Sequence, residues 1–63
     1  MFAFDVIGKI EEVVPEVRFK LKGNQIHLTP RLNDSQMDAA LSPFASRIGV
    51  VIHTPTVTMI ELV

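Results

Sequence analysis

Residues 17–29 read VRFKLKGNQIHLT, and this stretch determines the fold. Apolar and polar residues alternate on both sides of the Gly23-Asn24 step, which predicts two β-strands joined by a two-residue turn. Gly23 in the first turn position supplies the positive φ of a type II′ turn. Folding the chain at this step pairs every apolar residue with an apolar one, Phe19 with Leu28 for example. A shift of one residue would break every match, so the sequence predicts a single register.

The segment before this hairpin has the apolar spacing of an α-helix. Pro15 ends the helix, because the residue before a proline avoids the α region. A short strand over Phe2 to Phe4, followed by a helix capped by Asp5, is the rival interpretation, and we prefer one helix from residue 3 to 14. Its apolar stripe consists of Ala3, Val6, Ile7, Ile10, Val13 and Val14.

A second helix is predicted after the hairpin. Asn33 is a good N-cap, and Gln36 can bond back to it in a capping box. Pro43 interrupts this helix, so one kinked helix and two nearly collinear helices both fit residues 34–48, with Ser42 as the cap of the second. Gly49 suits a left-handed helix end. The apolar stripe, which keeps its phase across the proline, consists of Met37, Ala40, Leu41, Phe44, Ala45 and Ile48.

The last segment, from Val50 onward, consists almost entirely of residues that favour β-strands. Pro55 cannot lie inside a central strand, so we expect one strand near 50–53 and another near 56–62. The predicted order is α-β-β-α-β(-β). This order predicts an α+β fold, a small single domain over residues 1–63 with helices packed on one face of an antiparallel or mixed sheet.

The composition favours self-association. The chain has 63 residues, of which 48% are hydrophobic, and its mean hydropathy is +0.33. One core in so short a chain seldom supplies more than about 3–5 kcal/mol, and small proteins usually add disulfides, a metal or a partner. Cysteine is absent, which excludes disulfides and thiolate metal sites. We therefore predict a homo-oligomer, a dimer in the simplest case, with no cofactor.

The C-terminal strand is the predicted interface between copies. Five of the last seven residues are apolar and lie on both faces of a strand, and Glu61 is the only charged residue after Arg47. A strand at a solvated edge would alternate and carry charge. Ordinary burial inside one chain is the alternative. The predicted interface residues are Val57, Met59, Ile60 and Leu62.

The charge distribution supports a second hypothesis. Residues 17–31 carry four basic side chains and no acidic one, although the net charge of the chain is −1. They predict an alternative function, a small module that binds nucleic acid or an acidic partner. The solvated face of a half-buried hairpin is the simpler explanation, and no aromatic residue lies on that face for stacking. The basic residues are Arg18, Lys20, Lys22 and Arg31.

No residues have the spacing of a catalytic or metal site. His27 is predicted opposite Lys20, a cation that disfavours a metal, and His53 lies at a strand end. No serine has a histidine and an acid at a recognisable spacing, and the three glycines are isolated. We therefore expect a protein that is not an enzyme, with no catalytic residues and no bound metal.

The chain has no signal-peptide pattern, and its apolar runs are far shorter than the ~20 residues that span a bilayer, so we expect a cytoplasmic protein without a membrane partner.

Val13-Val14-Pro15-Glu16-Val17, the hairpin, and the segment Asn33 to Leu41 together resemble small accessory proteins encoded in prophage tail gene clusters. This resemblance implies a phage-related accessory or structural role, and it names no active residues.

Overall fold

The structure, a computed structural model, describes residues 2–63, and these form four β-strands and two α-helices. The elements are, in chain order, α1 (Phe2–Val13), β1 (Arg18–Lys22), β2 (Gln25–Thr29), α2 (Asp34–Leu41), a 3-10 helix (Ser42–Arg47), β3 (Ile48–His53) and β4 (Thr58–Leu62). The predicted α+β fold and its element order are confirmed. The last two strands differ from the expected ranges at their starts. Strand β3 begins at Ile48 instead of residue 50, and β4 begins at Thr58 instead of residue 56, so residues 56–57 belong to the loop before β4.

The four strands form one antiparallel sheet in the order β1-β2-β4-β3. The C-terminal strand β4 is therefore central, with a partner from its own chain along each edge. Both helices cover one face of the sheet, where their apolar residues share a core with Ile26, Leu28 and Ile60. The opposite side, which we call the open face, carries no helix.

The hairpin of β1 and β2 has the predicted register, from Arg18 opposite Thr29 to Lys22 opposite Gln25. Gly23 has a φ of 58°, and no other residue among residues 2–63 has a positive φ, which agrees with the first position of a type II′ turn. Phe19 lies on the helix side of the sheet as its pairing with Leu28 requires, but 43% of it is exposed. It is exposed because β1 is an edge strand beyond the cover of the helices.

Helix α1 begins at Phe2, so the rival interpretation with a strand over residues 2–4 is wrong. Its buried side chains are those of the predicted stripe, including Val6 and Ile10. The helix ends at Val13, two residues before Pro15, as the exclusion of the α region before a proline requires.

Helix α2 begins with the predicted capping box. The Asn33 side chain accepts a hydrogen bond from the Gln36 amide (2.8 Å), and the Gln36 side chain accepts one from the Asn33 amide (3.0 Å). The α-helix ends at Leu41, and Pro43 lies at the start of the following 3-10 helix. Ser42 does not cap that helix; its hydroxyl instead donates back to the Asp38 carbonyl.

Gly49 corrects a sequence-based expectation. It does not end a helix in the left-handed region, since Gly23 is the only glycine with positive φ among residues 2–63. Instead it lies in β3, where the register against β4 shifts between Ile48 and Val50. A Cβ atom at Gly49 would lie 2.6 Å from Val63 Cγ1 and 3.3 Å from the Glu61 carbonyl oxygen. Glycine therefore leaves room for the Val63 side chain and the Glu61 carbonyl at a β-bulge.

Candidate interaction surfaces

The sheet ends in two edge strands with opposite chemistry. Strand β1 carries Arg18, Lys20 and Lys22 on alternate positions, so these three side chains share the open face. Strand β3 reads IGVVIH and contains no Lys, Arg, Asp, Glu or Pro. Natural edge strands are usually blocked by charges, prolines or a covering element. Of these devices β1 has the charges, whereas β3 has only the bulge at Gly49.

The central residues of β3 expose apolar side chains on both faces of the sheet. Val50 and Ile52 pair with Glu61 and Met59 on the open face, and they are 43% and 47% exposed. Val51 pairs with the core residue Ile60 on the helix side, and it is still 38% exposed. The uncovered apolar surface of β3 therefore continues around its free edge.

The hydrogen-bond pattern between β3 and β4 shows which backbone groups of β3 point to its free edge. The Thr54 amide donates to the Val57 carbonyl (2.8 Å) where β3 and β4 enter their connecting loop. Hydrogen-bonded pairs alternate along an antiparallel ladder, so Ile52 and Met59 form the next such pair. The amide and carbonyl groups of Val51 consequently point away from β4. They are available to a strand that adds to this edge.

The four predicted interface residues, three in β4 and Val57 in the loop before it, lie in two different environments. Ile60 and Leu62 are buried against the helices of their own chain, which favours the alternative of core burial for these two side chains. Val57 and Met59 are half-buried, and Met59 lies on the open face between His27 and Ile52. The part of the predicted interface that a second copy can reach in this fold is therefore Val57 and Met59, next to β3.

The predicted basic residues are only partly brought together. Arg18, Lys20 and Lys22 are exposed on the open face. Arg31 is also exposed, but it lines a separate depression where the chain enters α2. The ion pair found among residues 2–63 is Lys9 with Glu12 (3.8 Å), so none of these four cations has a carboxylate partner in the described chain.

His53 belongs to a hydrogen-bond network that joins parts of the fold, and His27 lies within the sheet. His53 Nδ1 lies 2.9 Å from the Thr58 hydroxyl, which also accepts a hydrogen bond from the Leu32 amide at 3.0 Å. Thr58 is fully buried, so this small network ties the start of α2 to the β3-β4 hairpin. His27 lies opposite Lys20 as predicted, and its Nε2 atom is buried without a hydrogen-bond partner.

Side chains that could bind a metal or act as a nucleophile do not form a cluster within residues 2–63. Within residues 2–63, no three His, Cys, Asp or Glu side chains lie close enough to hold a metal ion. The hydroxyl of Ser42, which lies beside a groove, is bonded to the Asp38 carbonyl and has no histidine partner.

A groove of about 650 Å³ between α2, the 3-10 helix and β3 was not expected from the sequence. It exists because α2 ends at Leu41 and leaves Val51 on β3 uncovered. The sequence pattern that could have predicted the groove is the apolar stripe from Met37 to Ile48. This stripe has more apolar residues than the short helix α2 can bury. The apolar residues that line this groove are Met37, Leu41, Ala45, Ile48 and Val51.

None of the helices within residues 2–63 has the length and apolar character needed to cross a membrane. Comparison of the chain with protein-family models, curated proteins and solved structures found no match.

Proposed function

We propose that this protein is a small, non-enzymatic interaction or structural protein that acts as a homodimer joined along β3. The observation that carries the proposal is the uncharged edge strand, whose residues Val50, Val51 and Ile52 are each more than a third exposed. An edge with free backbone groups and no charges is a template for pairing with another strand. A second copy offers an identical edge, and two-fold dimers are the commonest oligomers.

Antiparallel pairing of two copies of β3 fits the free backbone groups. With a two-fold axis perpendicular to the sheet at Val51, the Val51 amide of each copy donates to the Val51 carbonyl of the other. The two sheets then join into one, with the helices of both copies on the same side. Val50 of each copy then lies opposite Ile52 of the other on the open face. Met59 is the neighbour of Ile52 on β4, so part of the predicted C-terminal surface stays within the interface.

The size of this edge sets the expected affinity. The strand has six residues, so the contact is smaller than the roughly 1,200–2,000 Å² of a standard stable interface. We therefore expect dissociation at micromolar concentrations and a dimer fraction that rises with concentration. The dimer shields the exposed part of β3, which accounts for the high apolar content of a chain without disulfides.

The proposed biological setting is a phage-related accessory role in the cytoplasm. It rests on the resemblance of the helix-hairpin-helix sequence to prophage tail accessory proteins. A structural or accessory protein of this kind requires a binding surface and no catalytic residues.

Light scattering coupled to size-exclusion chromatography tests the dimer. The mass should rise from 7.0 kDa toward twice that value as the concentration increases through the micromolar range. Ile52→Lys places a charge on the exposed edge and should give a folded monomer. Phe19→Lys is the matched control, since it adds the same charge at a similarly exposed position on the other edge strand. A wild-type monomer at all concentrations, or equal masses for both variants, would contradict the proposal.

The second candidate function is binding of nucleic acid or an acidic partner by the basic residues of β1. The supporting observation is that Arg18, Lys20 and Lys22 share the open face without an acidic partner among residues 2–63. Binding through phosphates should weaken steeply with salt. The double variant Lys20→Glu with Lys22→Glu should abolish binding to RNA and DNA at low salt, whereas Lys9→Glu on α1 should retain it. Failure of the wild-type protein to bind at low salt would exclude the nucleic-acid form.

A further inference from the structure

We propose that the groove between α2 and β3 binds a cationic amphipathic helix of a partner protein. The groove belongs to a single chain and lies on the helix side of the sheet. In the proposed dimer Val51 lies on the two-fold axis, so the grooves of the two copies lie next to each other on the helix side of the joined sheet. A monomer already has the complete groove, and the dimer is not required for binding.

The floor of the groove is apolar and incompletely covered. Met37 and Ile48 are half-buried, and Val51 is 38% exposed although it lies on the helix side of the sheet. The volume of about 650 Å³ falls within the range of roughly 300–1,000 Å³ that is typical of binding sites. An amphipathic helix that lays its apolar face into such a groove would cover these side chains.

The rim of the groove carries two carboxylates, Asp34 and Asp38, one helical turn apart. Asp34 lies in the first turn of α2, where the helix dipole stabilises a negative charge. Asp38 lies in the second turn of this eight-residue helix and lacks that support. Its spacing from Asp34 also places two like charges next to each other on the helix surface.

No cation of the described chain compensates Asp38. The ion pair among residues 2–63 joins Lys9 to Glu12, both on α1. The nearest polar contact of the Asp38 carboxylate is the Ser42 hydroxyl at 3.4 Å. A carboxylate without a cationic partner on the rim of an apolar groove is complementary to a ligand with a positive charge beside an apolar face. These properties define the proposed partner, a helix with Lys or Arg on one side and aliphatic residues on the other.

Fluorescence anisotropy with a labelled helical peptide made of leucine and lysine tests this assignment. The peptide should bind the wild-type protein, and a peptide of the same pattern with glutamate in place of lysine should not. The double variant Asp34→Asn with Asp38→Asn should weaken binding about tenfold at low salt, as expected for the loss of two exposed ion pairs. The control variant Asp5→Asn with Glu11→Gln removes the same charge from the exposed side of α1 and should bind as the wild type does.

A second pair of variants tests the apolar floor. Ala45→Trp fills the groove from an exposed position and should abolish peptide binding, whereas Ala39→Trp, also exposed but outside the groove, should not. Equal binding by all variants, equal binding of a peptide of lysine alone, or no binding by the wild type would overturn the assignment. Light scattering on the same samples separates the two proposals. If Ala45→Trp dissociates the dimer, a second copy occupies the groove, and the proposed partner is wrong.

Discussion

Replacement of Thr58 by valine should destabilise the fold, although the two side chains have the same shape. The Thr58 side chain is fully buried, and its hydroxyl accepts a hydrogen bond from the Leu32 amide at 3.0 Å. Leu32 is also buried. Thr58→Val therefore leaves a buried amide without an acceptor, which costs about 1–3 kcal/mol. Burial of the added methyl group stabilises the fold by at most about 0.8 kcal/mol. The variant also removes the hydroxyl partner of His53.

The expected net loss is roughly 1–2 kcal/mol, from a domain whose core supplies only about 3–5 kcal/mol. In a chain of this size it should lower Tm by about 5–15 °C. Thermal unfolding followed by circular dichroism and urea titration, both at one protein concentration, measure the change. Thr29→Val is the matched control, since Thr29 is exposed at the end of β2 and its change should stay within about 0.5 kcal/mol. Equal stability of the two variants would refute the role of the buried hydroxyl.

Three further predictions concern backbone conformation and capping. Gly23→Ala should cost about 1–2 kcal/mol, because residue 23 has a φ of 58°, as urea titration will measure. Gly8→Ala should stabilise the protein by roughly 0.5–1 kcal/mol in the same assay, since residue 8 lies within α1 and an added Cβ meets nothing within 4 Å; a loss of stability there would contradict the helix assignment. Asn33→Ala removes the acceptor for the Gln36 amide and should lower the free energy of unfolding by about 1 kcal/mol, whereas an unchanged Tm would show that the capping box contributes nothing.

The features that the sequence predicts correctly are local ones. The register of the first hairpin follows from period-two alternation around Gly23, because both strands and their turn lie within thirteen consecutive residues. The capping box at Asn33 joins residues three positions apart. In both cases the partners are fixed by short stretches of chain, so the pattern of residues is enough.

The features that the sequence does not predict depend on distant parts of the chain. The position of β4 between β2 and β3 requires pairing of Gln25 with Glu61, which no local pattern specifies. Gly49 lies at a bulge because Val63 and the Glu61 backbone approach it, so its spacing after a helix suggested the wrong conformation. The groove arises from the mismatch between a helix that ends at Leu41 and a strand that extends beyond its cover.

Amide hydrogen exchange along β3 tests the proposed dimer most directly. The Ile52 amide belongs to the ladder with β4 and should be protected at every protein concentration. The Val51 amide points to the free edge and should exchange rapidly in dilute protein, with protection that rises with concentration in parallel with the mass from light scattering. A Val51 amide that stays unprotected while the protein dimerises would place the interface elsewhere and contradict pairing along β3.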